Sequence, residues 1–316
     1  MAKLEKSYHW QGREDTEEGQ NSLRWHQVMN NQKQTKSCSL LGFECELGVA
    51  ANKGRVGAAT GPNAIRDALA NLAWHGDCDV RDAGNIVATT RLADAQNHYA
   101  QQIAKSLGEN SFVIGLGGGH EIAWGSHQGL VQHLAAEPNK KIGIVNFDAH
   151  FDLRNPAKQI SSGTPFRQIA EYCQAHHQPF HYTCLGVAES SNTAALFTYA
   201  KQTKTRYLLD LDCNPNAAKQ LLTPMLKAVD ELYVTVCLDA FSAHIAPGVS
   251  APSALGISVK FVIQMLHWIA QSQSEFHYNW RLADIAEMNP TYDIDNRTAK
   301  LAARLIYEVV TTKFVK

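Results

Sequence analysis

The chain has 316 residues, of which 45% are apolar and 19% charged, with Lys+Arg 29 against Asp+Glu 30 and a net charge of −1. That composition excludes global disorder, and the lack of a Lys and Arg excess excludes nucleic-acid binding as the main function. Residues 1–34 are polar with no apolar stretch of the secretory kind, and no apolar run reaches the roughly 18 residues of a membrane span. The expected partner is therefore a small-molecule substrate, with neither nucleic acid nor membrane involved. Seven cysteines, an odd number without a CxxC pair, argue against a disulfide framework and for a reducing, cytoplasmic setting.

In chain order, residues 1–35 read as a polar extension packed on a single domain over 36–316. Short apolar runs follow at Ser39–Phe43, Phe112–Leu116, Ile142–Phe147, Tyr182–Val187, Arg206–Leu209, Leu232–Leu238 and Arg281–Ala286. They show little alternation, as strands covered on both faces do. Between them, helical patterns are expected at Pro62–Leu72, Ala93–Leu107, Ile122–Leu134, Phe166–Ala175, Val259–Ala270 and Thr298–Val309. Strand–helix alternation along the whole chain predicts a three-layer α/β/α fold around a mostly parallel sheet of roughly eight strands.

In such sheets ligands bind beyond the carboxyl ends of the strands. Four runs end there in ligand-type side chains: Gly117-Gly118-Gly119-His120-Glu121, Asp148-Ala149-His150-Phe151-Asp152, Cys237-Leu238-Asp239, and Glu287. In extended chain, residues two apart share a face, so Asp148, His150 and Asp152 point together, as do Cys237 and Asp239. With His120 this makes three carboxylates, two imidazoles and one thiolate. Carboxylates crowded in a dry cleft repel, and a divalent cation relieves that cost. Six donors exceed the needs of one open catalytic ion and suit two ions sharing ligands, with a bridging water acidified to a nucleophile. Oxygen-rich ligation with some His favours Mn2+ over a structural Zn2+ site.

Taken singly, the signals differ in weight. A lone His is more often a hydrogen-bonded core residue, and a buried Cys such as Cys237 is usually a small apolar filler. Glu287 can equally be a cap or an ion-pair partner. GGG without a following Lys-Ser/Thr is not a P-loop. Asp-x-His-x-Asp directly after a buried strand is far more specific.

These motifs resemble the ureohydrolase (arginase/agmatinase) family. GGGHE at 117–121, NFDAHFD at 146–152, LDAFSAHIAPGVSAP at 238–252 and AEMNPTYD at 286–293 are similar to its signatures, in order and spacing, from about residue 38 onward. Finer features at 10–13, 52–58, 162–166 and 246–252 resemble its formimidoylglutamase branch.

The resemblance implies two Mn2+ per subunit and hydrolysis of an amidine C–N bond, N-formimidoyl-L-glutamate giving L-glutamate and formamide in histidine degradation. It implies His120, Asp148, Asp152 and Cys237 around one ion and Asp148, His150, Cys237 and Asp239 around the other, with Glu287 facing the amidine. Relatives often form trimers or hexamers, which leaves a homo-oligomer open. The alternatives are another amidinohydrolase, a binuclear phosphatase, or a weakly metal-binding inactive relative.

Two departures bear on this. The family usually has Asp where Cys237 stands, and a thiolate is softer and offers one donor atom, so metal identity or occupancy is expected to shift. Ser162 lies near where arginases and agmatinases carry a His, which removes an arginase-like proton carrier; His244 is a weak substitute. Asp239 is then the first candidate to protonate the leaving amine, alongside Glu287 in orienting the substrate. Asn52, Arg55 and Ser162 are expected to bind substrate. Of the cations Arg13, Arg55, Arg66 and Arg154, Arg55 is the favoured partner of the two substrate carboxylates. Trp10–Arg13 is expected to cover the pocket.

Overall fold

The computed structural model describes residues 3–5, 8–31 and 36–314. Nine strands form one sheet: β1 Lys3–Glu5, β2 Ser37–Glu44, β3 Asp79–Val87, β4 Ser111–Gly117, β5 Ile142–Phe147, β6 His181–Val187, β7 Arg206–Leu209, β8 Glu231–Cys237 and β9 Asn279–Ala286. Their order is β1-β3-β2-β4-β9-β8-β5-β6-β7. Every neighbouring pair is parallel except β1 with β3. The helices are α1 Trp25–Val28, α2 Leu47–Ala51, α3 Gly61–Ala70, α4 Leu92–Gly108, α5 Ile122–His133, α6 Pro165–Ala175, α7 Ala194–Gln202, α8 Pro215–Leu226, α9 Val259–Phe276 and α10 Arg297–Lys313.

Successive side chains of a strand point to opposite faces, and here both faces are apolar. Leu40, Ile114, Val145 and Val234 pack with Ile65 of α3, Leu222 of α8, Leu266 of α9 and Leu305 of α10. Their neighbours Leu41, Val113, Ile144 and Tyr233 pack the other way, with Tyr99 of α4, Leu130 of α5 and Ile169 of α6. The result is the three-layer α/β/α arrangement expected from the strand–helix alternation. Among the described residues, no helix is long and apolar enough to cross a membrane.

All seven expected strands and six expected helices occur, some longer than their apolar cores. Helix α9 runs on to Phe276, where His277 ends it in the left-handed region (φ 63°). Strand β3 carries no apolar run because its polar side chains are bound within the fold. Asp82 forms a two-point ion pair with fully buried Arg66, and Asn85 accepts from Arg66 Nη1 and donates to Glu44 and Asn63. Helices α7 and α8 were not expected either.

The amino-terminal segment lies along α3 and β3. Trp25 is fully buried against Trp74, Tyr8 donates to Asp67 at 2.6 Å, and Trp10 donates to Asp82 at 2.8 Å. The expectation that Trp10–Arg13 covers the pocket is thereby corrected: the indole is taken up by Asp82, and Arg13 pairs with Asp15. Arg66 is likewise corrected from a substrate cation to a buried structural one.

His127 of α5 is buried beneath Tyr172, and burial holds its imidazole down at about 3. Its folded value lies below the unfolded one, so between pH 6.5 and 3 the unfolded chain binds the extra proton and stability falls as pH falls. The loss is on the order of 4 kcal/mol across that window. In urea unfolding at pH 7 and pH 4.5, His127→Gln should lose less stability between the two than the parent protein; equal losses would remove His127 as the cause.

Candidate metal centre

The four strands that end in ligand-type residues are consecutive in the sheet, β4-β9-β8-β5. Strand neighbours sit about 4.8 Å apart, so chain segments far apart in sequence deliver side chains into one small volume. After β4 the chain turns through the glycines into His120. A Cβ on Gly118 would lie 2.1 Å from the carbonyl oxygen of Cys45, so only glycine admits this close approach. The turn is tied to β9 from both directions: Glu287 N donates to Gly118 O at 2.7 Å, and Glu287 Oε1 accepts from His120 N at 2.9 Å. Asp152 (φ 47°) and Glu287 (φ 67°) both hold left-handed backbone, a strain typical of functional positions.

His120 Nδ1 lies 2.9 Å from Asp148 Oδ2 and 3.0 Å from Asp152 Oδ2, yet in neither case with the geometry of a hydrogen bond. His120 Nε2 is instead held 3.1 Å from Thr235 Oγ1. That partner fixes the ring so that Nδ1 points into the space between the carboxylates, where it could ligate an ion. Asp148 is fully buried, its Oδ1 accepting from His150 N at 2.8 Å and its Oδ2 from Asn146 Nδ2 at 3.0 Å. His150 Nδ1 stands 3.2 Å from Asp239 Oδ2, and the Cys237 thiol donates to Asp239 Oδ1 at 2.8 Å. One donor atom each from His120, Asp148 and Cys237 lie within 4.8 Å of one another, and so do those from Asp148, His150 and Asp239. Asp148 belongs to both groups.

The electrostatics are those of a cage that wants cations. Burial works against charge on His120, but the Asp148 and Asp152 carboxylates hold its imidazole well above the usual value. Burial is likewise outweighed at His150 by Asp239 and Asp148. Burial, helped by the Asp148 charge, lifts Asp152 to about 6. Burial lifts the Cys237 thiol well above its ordinary value, with Asp148 and Asp239 adding to it. Glu287 is pushed up to about 8 by burial, then by Asp239 and Glu121. Without cations, protons must crowd into this volume to offset the carboxylates; two divalent ions would take their place. Converging lone pairs on His120 Nδ1 and the Asp oxygens fit such ions.

The cage opens into a cavity of about 290 Å3 lined by Asn52, Arg55, Arg154, Ser162, Asp239 and Glu287, with His150 and Asp152 at its floor. The buried Glu287 Oε2 has no hydrogen-bond partner. Arg55 lines the cavity as well, and its guanidinium donates to the carbonyls of Pro247, Val249 and Ser250 and lies 3.9 Å over Tyr292, so it clamps the 247–250 loop. Arg154 lines the same cavity, and among the described residues its guanidinium has no ion-pair or hydrogen-bond partner. Exposed His244 bonds Ser242 and does not line the cavity. A larger cleft, about 700 Å3, opens between α5 and α6 at the other end of the strands and holds none of these residues.

Sequence reasoning missed Thr235 and the buried Asp284 paired with it in register, which takes bonds from Ser126 and Tyr233 at 2.6 Å each. The signal was present: Thr235, Cys237 and Asp239 alternate on one strand face, and Asp284 interrupts an apolar run.

The chain belongs to the arginase family, whose model matches residues 36–311. It is 47% identical to a formimidoylglutamase of Hahella chejuensis over 306 residues, covering 94% of this chain and 92% of that one. It is 44% identical to a formimidoylglutamase of Aliivibrio fischeri, covering 95% and 93%. Among solved structures, formimidoylglutamase from Bacillus subtilis superposes with a TM-score of 0.82 at 20% identity, covering 99% of this chain and 97% of that one. Trypanosoma cruzi formiminoglutamase with Mn2+ gives 0.81 at 23%, covering 93% and 99%. These last two establish likeness of fold.

Because Asp148 belongs to both groups of close donor atoms, Asp148→Asn should abolish calorimetric Mn2+ binding altogether. Asp152→Asn should leave binding of about one ion. Equal losses in the two variants would contradict a shared Asp148.

Proposed function

We propose that this chain hydrolyses N-formimidoyl-L-glutamate to L-glutamate and formamide, a step of histidine degradation, as a cytoplasmic enzyme using two Mn2+. One observation of geometry supports it most: a single cavity holds a buried, unpaired carboxylate oxygen on Glu287 and the exposed guanidinium of Arg154, which has no ion-pair partner among the described residues, beside the ligand cage. A cationic amidine suits the first and the substrate carboxylates suit the second. The near-full-length formimidoylglutamase relatives support the same chemistry. Free thiols without disulfides accord with a reducing compartment. Residues 36–316 are proposed to form the catalytic unit, with 1–35 laid against it.

His120, Asp148, Asp152 and Cys237 would hold one ion, and Asp148, His150, Cys237 and Asp239 the other. The ions when bound supply an acidified water nucleophile at neutral pH and offset the carboxylate charge. Glu287 Oε2 accepts an N–H of the amidine and aims its carbon at the cage, and the dry surroundings strengthen that bond. Its place is set by His120 N, which holds the other oxygen. Asp239 lies on the cavity wall beside His150 and Cys237, where its carboxyl can hand a proton to the departing glutamate amine. Arg154 binds a substrate carboxylate through its planar fork, with Asn52 and Ser162 completing the wall.

Formamide release from N-formimidoyl-L-glutamate should require added Mn2+ and stop on chelation; agmatine and guanidino acids should turn over far more slowly. A faster rate on agmatine would overturn the assignment. Arg154→Ala should raise KM about tenfold or more while kcat changes little, and Arg55→Ala should instead lower stability. Cys237→Asp should hold Mn2+ about tenfold more tightly or better, because a carboxylate is the harder ligand; unchanged affinity in a chelator competition would refute that account of Cys237.

A further inference from the structure

The glutamate of GGGHE has no part in the ligand cage or the cavity lining, yet its side chain is fully buried. Glu121 Oε1 accepts from Gly48 N of α2 at 2.8 Å. Gly48 O in turn accepts from Asn52 N at 2.9 Å and from Ser162 N at 3.0 Å. One carboxylate is thus joined, through a single glycine, to both loops that carry the polar wall of the cavity. The other oxygen, Oε2, is buried and has no hydrogen-bond partner. Space around it is closed: a Cβ on Gly48 would come within 2.5 Å of Glu121 Cδ, and one on Gly119 within 2.0 Å of Oε2. The main chain of Glu121 is anchored separately, its carbonyl accepting from Gln96 Nε2 at 2.8 Å.

Stability alone does not account for this arrangement. A buried carboxylate with one oxygen unpaired costs more than an apolar side chain of similar size would. What the carboxylate supplies is a fixed distance between the metal-ligand turn and the 47–55 segment. The wall is continuous beyond Gly48, since a Cβ on Gly163 would meet Arg154 Cδ at 2.7 Å and Asn52 Nδ2 at 3.2 Å. Asn52, Ser162 and Arg154 therefore form one surface that meets the metal-ligand turn through the Gly48 tie, beside the bond from Gly119 N to Cys45 O at 3.1 Å.

We propose that Glu121 is a positioning residue for substrate recognition: by holding Gly48 it sets the Asn52 and Ser162 loops against the metal cage. This deepens, and rests on, the reading of the cavity as the formimidoylglutamate site. The carboxylate touches neither substrate nor ion; it acts through Gly48.

The test compares Glu121→Ala and Glu121→Gln with the parent chain by steady-state kinetics, Mn2+ affinity and hydrogen exchange. Glu121→Ala should raise KM for formimidoylglutamate about tenfold while kcat and Mn2+ affinity stay within about threefold. Peptides covering 47–55 and 161–164 should exchange faster, and those covering 142–152 should not. Glu121→Gln keeps an acceptor oxygen of the same reach and should restore KM to within about threefold. Mn2+ affinity falling in step with KM, or Glu121→Gln behaving like Glu121→Ala, would overturn the proposal. If the parent chain itself fails to release formamide, the functional reading falls on that result alone. The exchange pattern then still decides whether Glu121 ties the two loops.

Discussion

Negative charge confined in a dry volume governs this molecule. Asp148, Asp239 and Glu287 are buried, Asp152 nearly so, and all stand near two imidazoles and a thiol at the ends of adjacent parallel strands. No fold stabilises such a group for its own sake, because each desolvated carboxylate opposes the next. The sheet supplies the rigidity that keeps them together. Apolar cores on both faces hold β4, β9, β8 and β5 in register, so the strand ends cannot spread to relieve the repulsion. Strain appears where the chain leaves those strands, at Asp152 and Glu287.

Support for the cage extends inward from its ligands. Thr235 orients His120, Asn146 steadies Asp148, and Tyr182 accepts from Asn146 while donating to Phe151 O. These contacts turn flexible side chains into fixed donors, which is the difference between a cluster of acids and a site able to select an ion and a geometry. The cavity above is built from segments after β2, β5, β6, β8 and β9, held by backbone bonds and by side-chain clamps such as Arg55 on the 247–250 loop. The cavity wall thus stands on loops, whereas the cage stands at the ends of packed strands.

Cys237 sits where these two demands meet. As a thiol it is small, nearly apolar and content to be buried; as a ligand it must give up a proton against the pull of Asp148 and Asp239. Its S–H donates to Asp239 Oδ1 at 2.8 Å. A carboxylate at that position would add a further negative charge beside Asp148 and Asp239.

The apolar runs and the four groups of ligand-type residues at their ends were legible from residue types and spacing alone, because strand periodicity and burial on both faces leave a direct imprint on sequence. That Asp148, His150 and Asp152 would gather was legible as well, since Asp-x-His-x-Asp after a buried strand has few other physical uses; Cys237 was not, because a buried thiol usually just fills space. Strand β3 was not, because its polar side chains are satisfied by Arg66 and Asn63 from a helix that only folding brings near. Nor was the division of labour among the arginines. Arg13, Arg55, Arg66 and Arg154 look alike as letters, and whether a guanidinium becomes a clamp, a buried structural partner or a cavity-lining cation depends on the acceptors that surround it. Those acceptors lie in segments distant along the chain, so their assignment waits on the tertiary contacts, whereas local pattern suffices to say where strands end and which ligands stand there.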